Sequence, residues 1–331
     1  MRPREGCPKH MVMGPCGGVR EGGGCEVTAG PCVFGTPAAW PDPVPAVPPR
    51  RVPLILADYT ADPYSVPMLT TVAGALAADC DAVLVGEHQN RPDFPPTLLA
   101  SLLQAAGARP WMTLACRDRN RIVLEQELNG LRHLDVDAVL CVTGDARAYD
   151  VRPDVTQVFD LDGPRLAALA ASVGLTAAVP ETPAAPPRDL RPDRLAQKQR
   201  AGAAVAVLNH AAVDTVTAFM AGSARAGVTI PVIAAVAVFT DEPSAAVLSA
   251  LPGLELNPVA VRAVHLVRGE RGVLGDFPDP VDHYAGRADD EKVRGLRRSR
   301  LRGAGQVSHR GQRLEGLAEA HLVTDDHALL R

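Results

Sequence analysis

Short apolar runs recur along most of the chain at intervals of about 25–30 residues, and helical segments separate them. The pattern starts near residue 52, and its runs are largely uninterrupted, which is typical of buried strands in a parallel sheet. The runs lie at 54–57, 82–85, 112–115, 138–142, 175–179, 205–208 and 232–238. Helical patterns with small and apolar faces lie between most of them, as at 65–78, 164–173, 191–201 and 215–226.

This alternation predicts an α/β fold of the (β/α)8 TIM type rather than an open doubly wound sheet. No GxGxxG motif follows the first run, which argues against a dinucleotide-binding fold. The eighth unit is the weakest, because residues 257–311 are rich in Arg, Gly and Asp and show little periodicity. Either a short apolar piece at 321–324 closes the barrel as strand eight, or the C-terminal quarter is poorly ordered.

Composition excludes some classes of protein. The chain has 331 residues, is 47% hydrophobic and has a formal net charge of -4, which indicates neither a nucleic-acid binder nor a membrane-surface protein. No stretch approaches the roughly 18 uncharged apolar residues that a membrane span needs. The N-terminus has no apolar signal segment, so we expect a cytoplasmic protein.

Residues 1–35 form a separate, glycine-rich unit with the spacing C-x8-C-x8-C-x6-C. Its four cysteines are Cys7, Cys16, Cys25 and Cys32. A unit this short cannot bury enough apolar surface to fold alone, so either a metal ion holds it together or it is a flexible tail. Four thiolates suit a structural zinc ion, with His10 as an alternative ligand. A proline-rich linker, 36–52, leads to the predicted barrel, 53–331.

Polar residues gather directly after the predicted strands. Ligands bind at this end of parallel α/β folds, because the loops converge there. The candidates are Asp58, Glu87, His88, Asn90, Arg117, Asp118, Arg119, Thr143, Gly144, Asp145, Glu181, Asn209 and His210. Asp58, Glu87 and Glu181 each suit a proton donor, although for any single one of them a helix cap or a loop salt bridge is the more common role.

The stretch 111–145 reads as strand, charged loop, helix, strand and polar loop. Its helical pattern places Ile122 on roughly one face with Leu124, Leu128, Leu131 and Leu134. The loop at 117–121 either binds phosphate or carboxylate through its arginines, or forms a salt-bridged cap in which Asp118 holds the helix. The Gly-Asp pair at 144–145 either admits a flat ligand or makes an ordinary turn.

These residues resemble a known family. LACRDRNRIVLEQELNGLRHLDVDAVLCVTGD is similar to strands three and four of the methylenetetrahydrofolate reductase family of (β/α)8 flavoproteins. AAVPETP and LAQKQRAGAAVAVLNHAAVD resemble later segments of that family, so the resemblance covers about 52–256. The N-terminal CPKH, GPCGG, CEV and PC motifs resemble the zinc-binding methylenetetrahydrofolate reductase C-terminal domain, which in some bacteria belongs to a partner subunit.

The resemblance implies a reductase of methionine biosynthesis. Hydride would pass from NAD(P)H through FAD to 5,10-methylenetetrahydrofolate, giving 5-methyltetrahydrofolate. Asp145 would face the pterin and the flavin, Lys198 would reach the flavin's phosphate or ribityl region, and Asn209 and Glu181 would hold the folate. The other residues implied at the flavin are Thr113, Arg117, Asp118, Thr143 and Gly144. The four N-terminal cysteines would hold zinc, and we expect a homo-oligomer with a partner subunit at the zinc module.

Three departures from the family pattern bear on the mechanism. The family's first-strand Glu is replaced by an apolar residue, its strand-three His by Thr113, and its aromatic before Pro-Glu by Val179. Our hypothesis is that Asp58 or Glu87 replaces the missing general acid, with Asp145 as the third catalytic residue. The alternatives are a flavin-free folate-dependent one-carbon enzyme and a non-catalytic folate-binding or partner subunit of a reductase complex.

Overall fold

Among the residues that the structure describes, eight strands form one closed barrel in chain order. The computed structural model describes residues 2–88, 90–146, 154–239, 242–249, 253–256 and 319–323. Neighbouring strands are parallel from the first to the seventh. The strands are β1 (Ile55–Tyr59), β2 (Ala82–Val85), β3 (Pro110–Ala115), β4 (Ala138–Val142), β5 (Ala177–Glu181), β6 (Ala203–Leu208), β7 (Val232–Ala237) and β8 (Glu319–Val323). The predicted TIM-type α/β fold is confirmed for the first seven.

The last strand departs from the prediction in its direction. β8 pairs antiparallel with β1 on one side and with β7 on the other. A (β/α)8 barrel has eight parallel strands, so the predicted class is corrected at this strand. The apolar run at 321–324 indicated a strand there, but the side-chain pattern of a strand is the same in both directions. The prediction for 257–311 lies outside the described residues.

Seven α-helices of the described residues follow the parallel strands. They are α1 (Val66–Asp79), α2 (Pro96–Ala105), α3 (Arg121–His133), α4 (Gly163–Ser172), α5 (Arg191–Arg200), α6 (Val213–Arg225) and α7 (Glu242–Ser249). Leu103, Leu128 and Leu166 belong to the apolar cluster between strands and helices, and Trp111 and Leu140 to the cluster inside the barrel. Within the described part of the chain, no helix has the length and apolar character that crossing a bilayer requires.

Side-chain caps fix where α3 and α4 begin at the mouth, by which we mean the barrel end where β1–β7 have their carboxyl ends. The Asn120 Oδ1 accepts a hydrogen bond from the Val123 N–H at 3.1 Å at the start of α3. Asp162 caps α4 in the same way, through the N–H of residue 165 at 3.2 Å. Asp118, which we considered as the α3 cap, pairs with the Arg117 guanidinium at 2.9 Å. The cap of α3 is therefore Asn120, two residues after Asp118.

The chain before β1 runs along the outside of the barrel from the mouth to the base, which is the opposite end, where β1–β7 begin. Residues 2–35, the N-terminal segment, reach the mouth, where the Val12 N–H bonds the side chain that caps α4. Further along, the Trp40 N–H donates to the Gln197 Oε1 on α5 at 2.6 Å. At the base, the Thr176 Oγ1 donates to the Pro48 carbonyl at 3.2 Å. The proline-rich stretch is therefore packed along the barrel wall.

Candidate functional site

An open cleft of about 340 Å³ lies at the carboxyl ends of β2 and β3. Its walls come from the loops after β2, β3 and β4 and from the start of α2. Small-molecule pockets begin at roughly 300 Å³, so the cleft holds part of a drug-sized ligand. Residues that line it include Glu87, Arg91, Phe94, Thr113, Asp118 and Arg119. Six predicted site residues therefore share one cleft: Glu87, His88, Asn90, Thr113, Asp118 and Arg119.

Glu87 is a largely buried acid on the wall of this cleft, with a side chain that is 16% exposed. Its Oε1 accepts hydrogen bonds from the Arg119 Nη1 at 2.7 Å and from the Ala115 N–H at 3.3 Å. Burial raises the pKa of the Glu87 carboxyl above its ordinary value, and the attraction of Arg119 only partly opposes that rise. A carboxyl with a raised pKa keeps its proton closer to neutral pH, as a general acid must.

Arg117 ties together the loops after β2, β3 and β4. Its Nε donates to the Asp118 Oδ2 at 2.9 Å, its Nη1 to the Asp145 carbonyl at 3.3 Å and its Nη2 to the His88 carbonyl at 3.5 Å. The residue is 4% exposed. With all three nitrogens engaged, the guanidinium braces the loops and offers little surface to a ligand.

Asp145 lies at a turn beside the cleft, and the backbone can adopt this turn because residue 144 is glycine. Gly144 has a φ of 90°, in the left-handed region, and a Cβ there would lie 3.0 Å from the Arg117 Cβ. Before the turn, the Thr143 Oγ1 accepts a hydrogen bond from the Gly163 N–H at 2.9 Å. Asp145 itself is exposed. Its carboxylate is thus available to a ligand, and Arg117 connects its backbone to the cleft.

A buried charge cluster occupies another part of the mouth, at the end of β5. The Glu181 Oε2 accepts a hydrogen bond from the Lys198 Nζ at 2.7 Å, and its Oε1 lies 3.5 Å from the Arg191 Nη1. These residues and Arg194 are at most 7% exposed. Burial alone would raise the pKa of Glu181, but Lys198, Arg191 and Arg194 outweigh burial and lower the pKa to about 2. The cluster is therefore ionised and holds more positive than negative charge.

The N-terminal segment covers this cluster. The Arg191 Nη2 donates to the Cys16 carbonyl at 2.9 Å. A Cβ on Gly14 would lie 2.7 Å from the Arg194 Cδ, so only glycine lets the backbone approach this closely. Among the described residues, the Arg194 Nε and Nη1 have no hydrogen-bond partner. Backbone groups of the segment thus exclude solvent from the cations and leave part of their charge uncompensated.

Asn209 and Asp58 are absent from the described lining of the cleft. The Asn209 Nδ2 donates to the Thr182 Oγ1 at 3.0 Å, next to the buried cluster. Asp58 is partly exposed on β1, in register with Leu84 of β2. Glu87, Thr113 and Asp118 thus lie at the open cleft, whereas Glu181, Lys198 and Asn209 lie in or beside the buried cluster.

The residues that the resemblance assigns to a flavin do not surround one open space. Thr113 and Asp118 line the cleft. Lys198 is buried in the charge cluster at the end of β5, where its Nζ donates to the Glu181 carboxylate and to the Pro180 carbonyl. Arg117, the other assigned cation, is engaged by the loops. Neither cation is free to meet a cofactor phosphate, so this arrangement does not fit a bound flavin.

The four cysteines of the N-terminal segment line one small cavity, together with Lys9 and Glu26. All four are free thiols, and the cavity of about 20 Å³ has room for a single water-sized group. Four thiols around such a space fit structural zinc in donor type and number. In the part of the chain that the structure describes, no three His, Cys, Asp or Glu side chains are close enough together to hold a metal ion, so zinc binding would require the thiols to move together.

Sequence reasoning missed Arg191, Arg194 and Glu26. Arg191 and Arg194 recur with Lys198 at positions i, i+3 and i+7 of α5, which places three cations on one helix face. That spacing was a usable signal for a charge cluster. Glu26 gave none, because its partner Ala146 lies 120 residues away.

Comparisons with known proteins give no family. No family model matches the chain, and no curated protein matches it.

An uncharacterized Clostridium thermocellum protein that binds two copies of 5-methyl-5,6,7,8-tetrahydrofolic acid is 10% identical with a TM-score of 0.44, over 75% of this chain and 82% of that one. A mandelate racemase/muconate lactonizing protein from Herpetosiphon aurantiacus is 14% identical with a TM-score of 0.37; the match covers 61% of this chain and spans only 51% of that protein's length. Tryptophan synthase from M. tuberculosis is 15% identical with a TM-score of 0.38, over 67% of this chain and 87% of that one. Similarity this low carries no argument about activity.

Proposed function

We propose that this chain is a folate-dependent one-carbon enzyme that reduces 5,10-methylenetetrahydrofolate to 5-methyltetrahydrofolate, with NAD(P)H as the direct hydride donor. The observation that carries the proposal is Glu87, a largely buried acid with a raised pKa on the wall of an open cleft. Active sites of TIM-type barrels lie at this end of the strands. The resemblance of the segments at 110–210 to the reductase family supports the choice of substrate.

The cleft and its rim offer the contacts that a reduced folate needs. Asp118 is an acceptor for pterin N–H groups, and Asp145 at the adjacent turn is a second one. Phe94 offers an apolar face to the aminobenzoyl ring. Arg91 supplies a guanidinium for a carboxylate of the glutamate tail. Together these groups suit a flat, polar ring system with an anionic tail.

Glu87 supplies the proton of the reaction. The bond between the methylene carbon and one nitrogen of the five-membered ring breaks as that nitrogen takes the Glu87 proton. Hydride adds to the methylene carbon, which becomes the methyl group, and NAD(P)H is oxidised to NAD(P)+. Arg119, 2.7 Å from the Glu87 Oε1, stabilises the carboxylate that remains until water reprotonates it.

Three measurements on the purified protein test this function. We expect no absorption band at about 450 nm, binding of 5-methyltetrahydrofolate by calorimetry, and NAD(P)H oxidation only when 5,10-methylenetetrahydrofolate is present. A band at that wavelength that NAD(P)H bleaches would contradict direct hydride transfer and indicate the flavoenzyme instead. Folate binding without NAD(P)H oxidation would identify a non-catalytic folate-binding subunit.

We also propose that the four N-terminal cysteines hold one structural zinc ion. The support is their convergence on one cavity in a segment too short to be stable alone. Metal analysis is expected to find about one zinc per chain, and Cys16→Ser is expected to lower both the zinc content and the protection of the segment from proteolysis. A zinc-free chain whose N-terminal segment resists proteolysis would contradict this assignment.

A further inference from the structure

Glu26 lies between the cysteine-lined cavity and the turn that carries Asp145. Its Oε1 accepts a hydrogen bond from the Ala146 N–H at 2.7 Å. Its Oε2 accepts hydrogen bonds from the Lys9 Nζ at 2.5 Å and from the Cys16 Sγ at 3.4 Å. The side chain is 15% exposed. Both oxygens are thus engaged, one by the β4 loop and the other by the N-terminal segment.

The position of this carboxylate depends on Gly18. A Cβ on Gly18 would lie 2.1 Å from the Glu26 Oε2 and 2.4 Å from its Cδ, distances that real Cβ contacts do not reach. The bare backbone of Gly18 therefore forms one wall of the slot that holds Glu26. Any side chain at position 18 must displace the carboxylate.

The turn is held from two sides. From the barrel, the Arg117 Nη1 donates a long hydrogen bond of 3.3 Å to the Asp145 carbonyl. From the N-terminal segment, the Glu26 carboxylate bonds the Ala146 N–H at 2.7 Å, within the short range of charge-assisted hydrogen bonds. Of these two anchors, Glu26 is the stronger.

We propose that Glu26 is a positioning residue for Asp145 and thereby a determinant of folate affinity. The proposal rests on the proposed function, in which Asp145 accepts hydrogen bonds from the pterin. Glu26 acts without touching the ligand, because it fixes the residue that follows Asp145. The N-terminal segment thus has a part in ligand binding that is separate from covering the buried cluster.

Matched variants separate this role from a general effect on stability. Glu26→Ala removes the acceptor, and Gly18→Ala displaces it without changing it. Glu26→Gln keeps one oxygen for the Ala146 N–H. Lys9→Met removes the cationic partner of the Glu26 Oε2 and leaves the Oε1 facing the Ala146 N–H. Gly35→Ala controls for a glycine replacement in the same segment, since a Cβ there meets open space.

Two readouts are measured on the full-length variants. Amide exchange at Ala146, followed by NMR, is expected to be about tenfold faster in Glu26→Ala and Gly18→Ala, and close to wild type in the other three. The KM for 5,10-methylenetetrahydrofolate is expected to rise about tenfold in the same two variants with kcat little changed. A contact of equal strength in the ground and transition states affects KM alone.

Unchanged exchange at Ala146 in Glu26→Ala would overturn the proposal. So would a KM that rises equally in Glu26→Ala and Glu26→Gln, because the glutamine retains the oxygen that bonds the turn. If the wild-type protein binds no folate, the proposed function fails and the affinity role fails with it. Exchange at Ala146 then still decides whether Glu26 holds the turn.

Discussion

Replacing Glu181 by glutamine is expected to lower the free energy of unfolding by about 3–5 kcal/mol. Glu181 is the carboxylate that Lys198 and Arg191 contact, and all three are nearly excluded from solvent. Glutamine has almost the same volume, so the loss reflects uncompensated buried charge rather than a cavity. Denaturant unfolding at neutral pH measures it. Glu125→Gln, in the exposed pair with Arg121, is the control and is expected to change stability by less than about 1 kcal/mol.

The pH dependence of unfolding isolates the charge of Glu181. Folding lowers the pKa of this carboxyl from its ordinary 4.5 to about 2. The unfolded chain therefore binds the proton more tightly, and the stability that this group contributes is fully present above pH 4.5 and is lost as the pH falls towards 2. The wild-type protein should lose stability more steeply in this window than Glu181→Gln. Parallel curves for the two proteins would contradict the assignment.

Replacing Glu87 by glutamine is expected to reduce kcat by about 10²–10⁴-fold, the usual contribution of a general acid. The amide still accepts the hydrogen bond from Arg119 but has no proton of suitable acidity to give. The dissociation constant of 5-methyltetrahydrofolate should change little, since the shape of the cleft is preserved. Steady-state kinetics and calorimetry measure the two quantities, with Glu125→Gln again as the control. A Glu87→Gln enzyme with wild-type kcat would exclude Glu87 as the acid.

The dependence of kcat on pH is a second test of the role of Glu87. A general acid must be protonated, so kcat should fall as the pH rises through the raised pKa of Glu87. Arg119→Met removes a cation that lowers this pKa and should move the descending limb to higher pH. Our hypothesis from the sequence named Asp58 as the other candidate acid. Loss of turnover in Asp58→Asn, with Glu87→Gln active, would assign the role to Asp58.

The stretch 111–145 shows how much of the local structure hydrophobic periodicity predicts. It predicted strand, helix and strand, and β3, α3 and β4 lie there. The helix face was predicted less well, because Leu124, Leu128 and Leu131 are buried whereas Ile122 is 73% exposed. Two residues along a helix correspond to about 200° of rotation, so Ile122 and Leu124 cannot share a face.

Lys198 shows why the site was harder to predict than the fold. Its place on α5 could be read from the local pattern, and its burial could not. The carboxylate that pairs with it, Glu181, lies 17 residues earlier, and the carbonyl of Cys16 that covers its neighbour Arg191 lies 175 residues away. Periodicity indicates which residues share a face of one element. It contains no information about which distant segment covers that face.

The large sequence separation between the N-terminal segment and its binding surface has a consequence for biosynthesis. Val12 bonds a residue 150 positions later, and Cys16 one 175 positions later. Contacts this distant in sequence form late, because the intervening chain must first be closed into a loop. During translation, the cysteine-containing N-terminal segment therefore has no surface to pack against until α5 has left the ribosome. Throughout that interval its four sulfur atoms are open to whatever metal ion or oxidant the nascent chain meets.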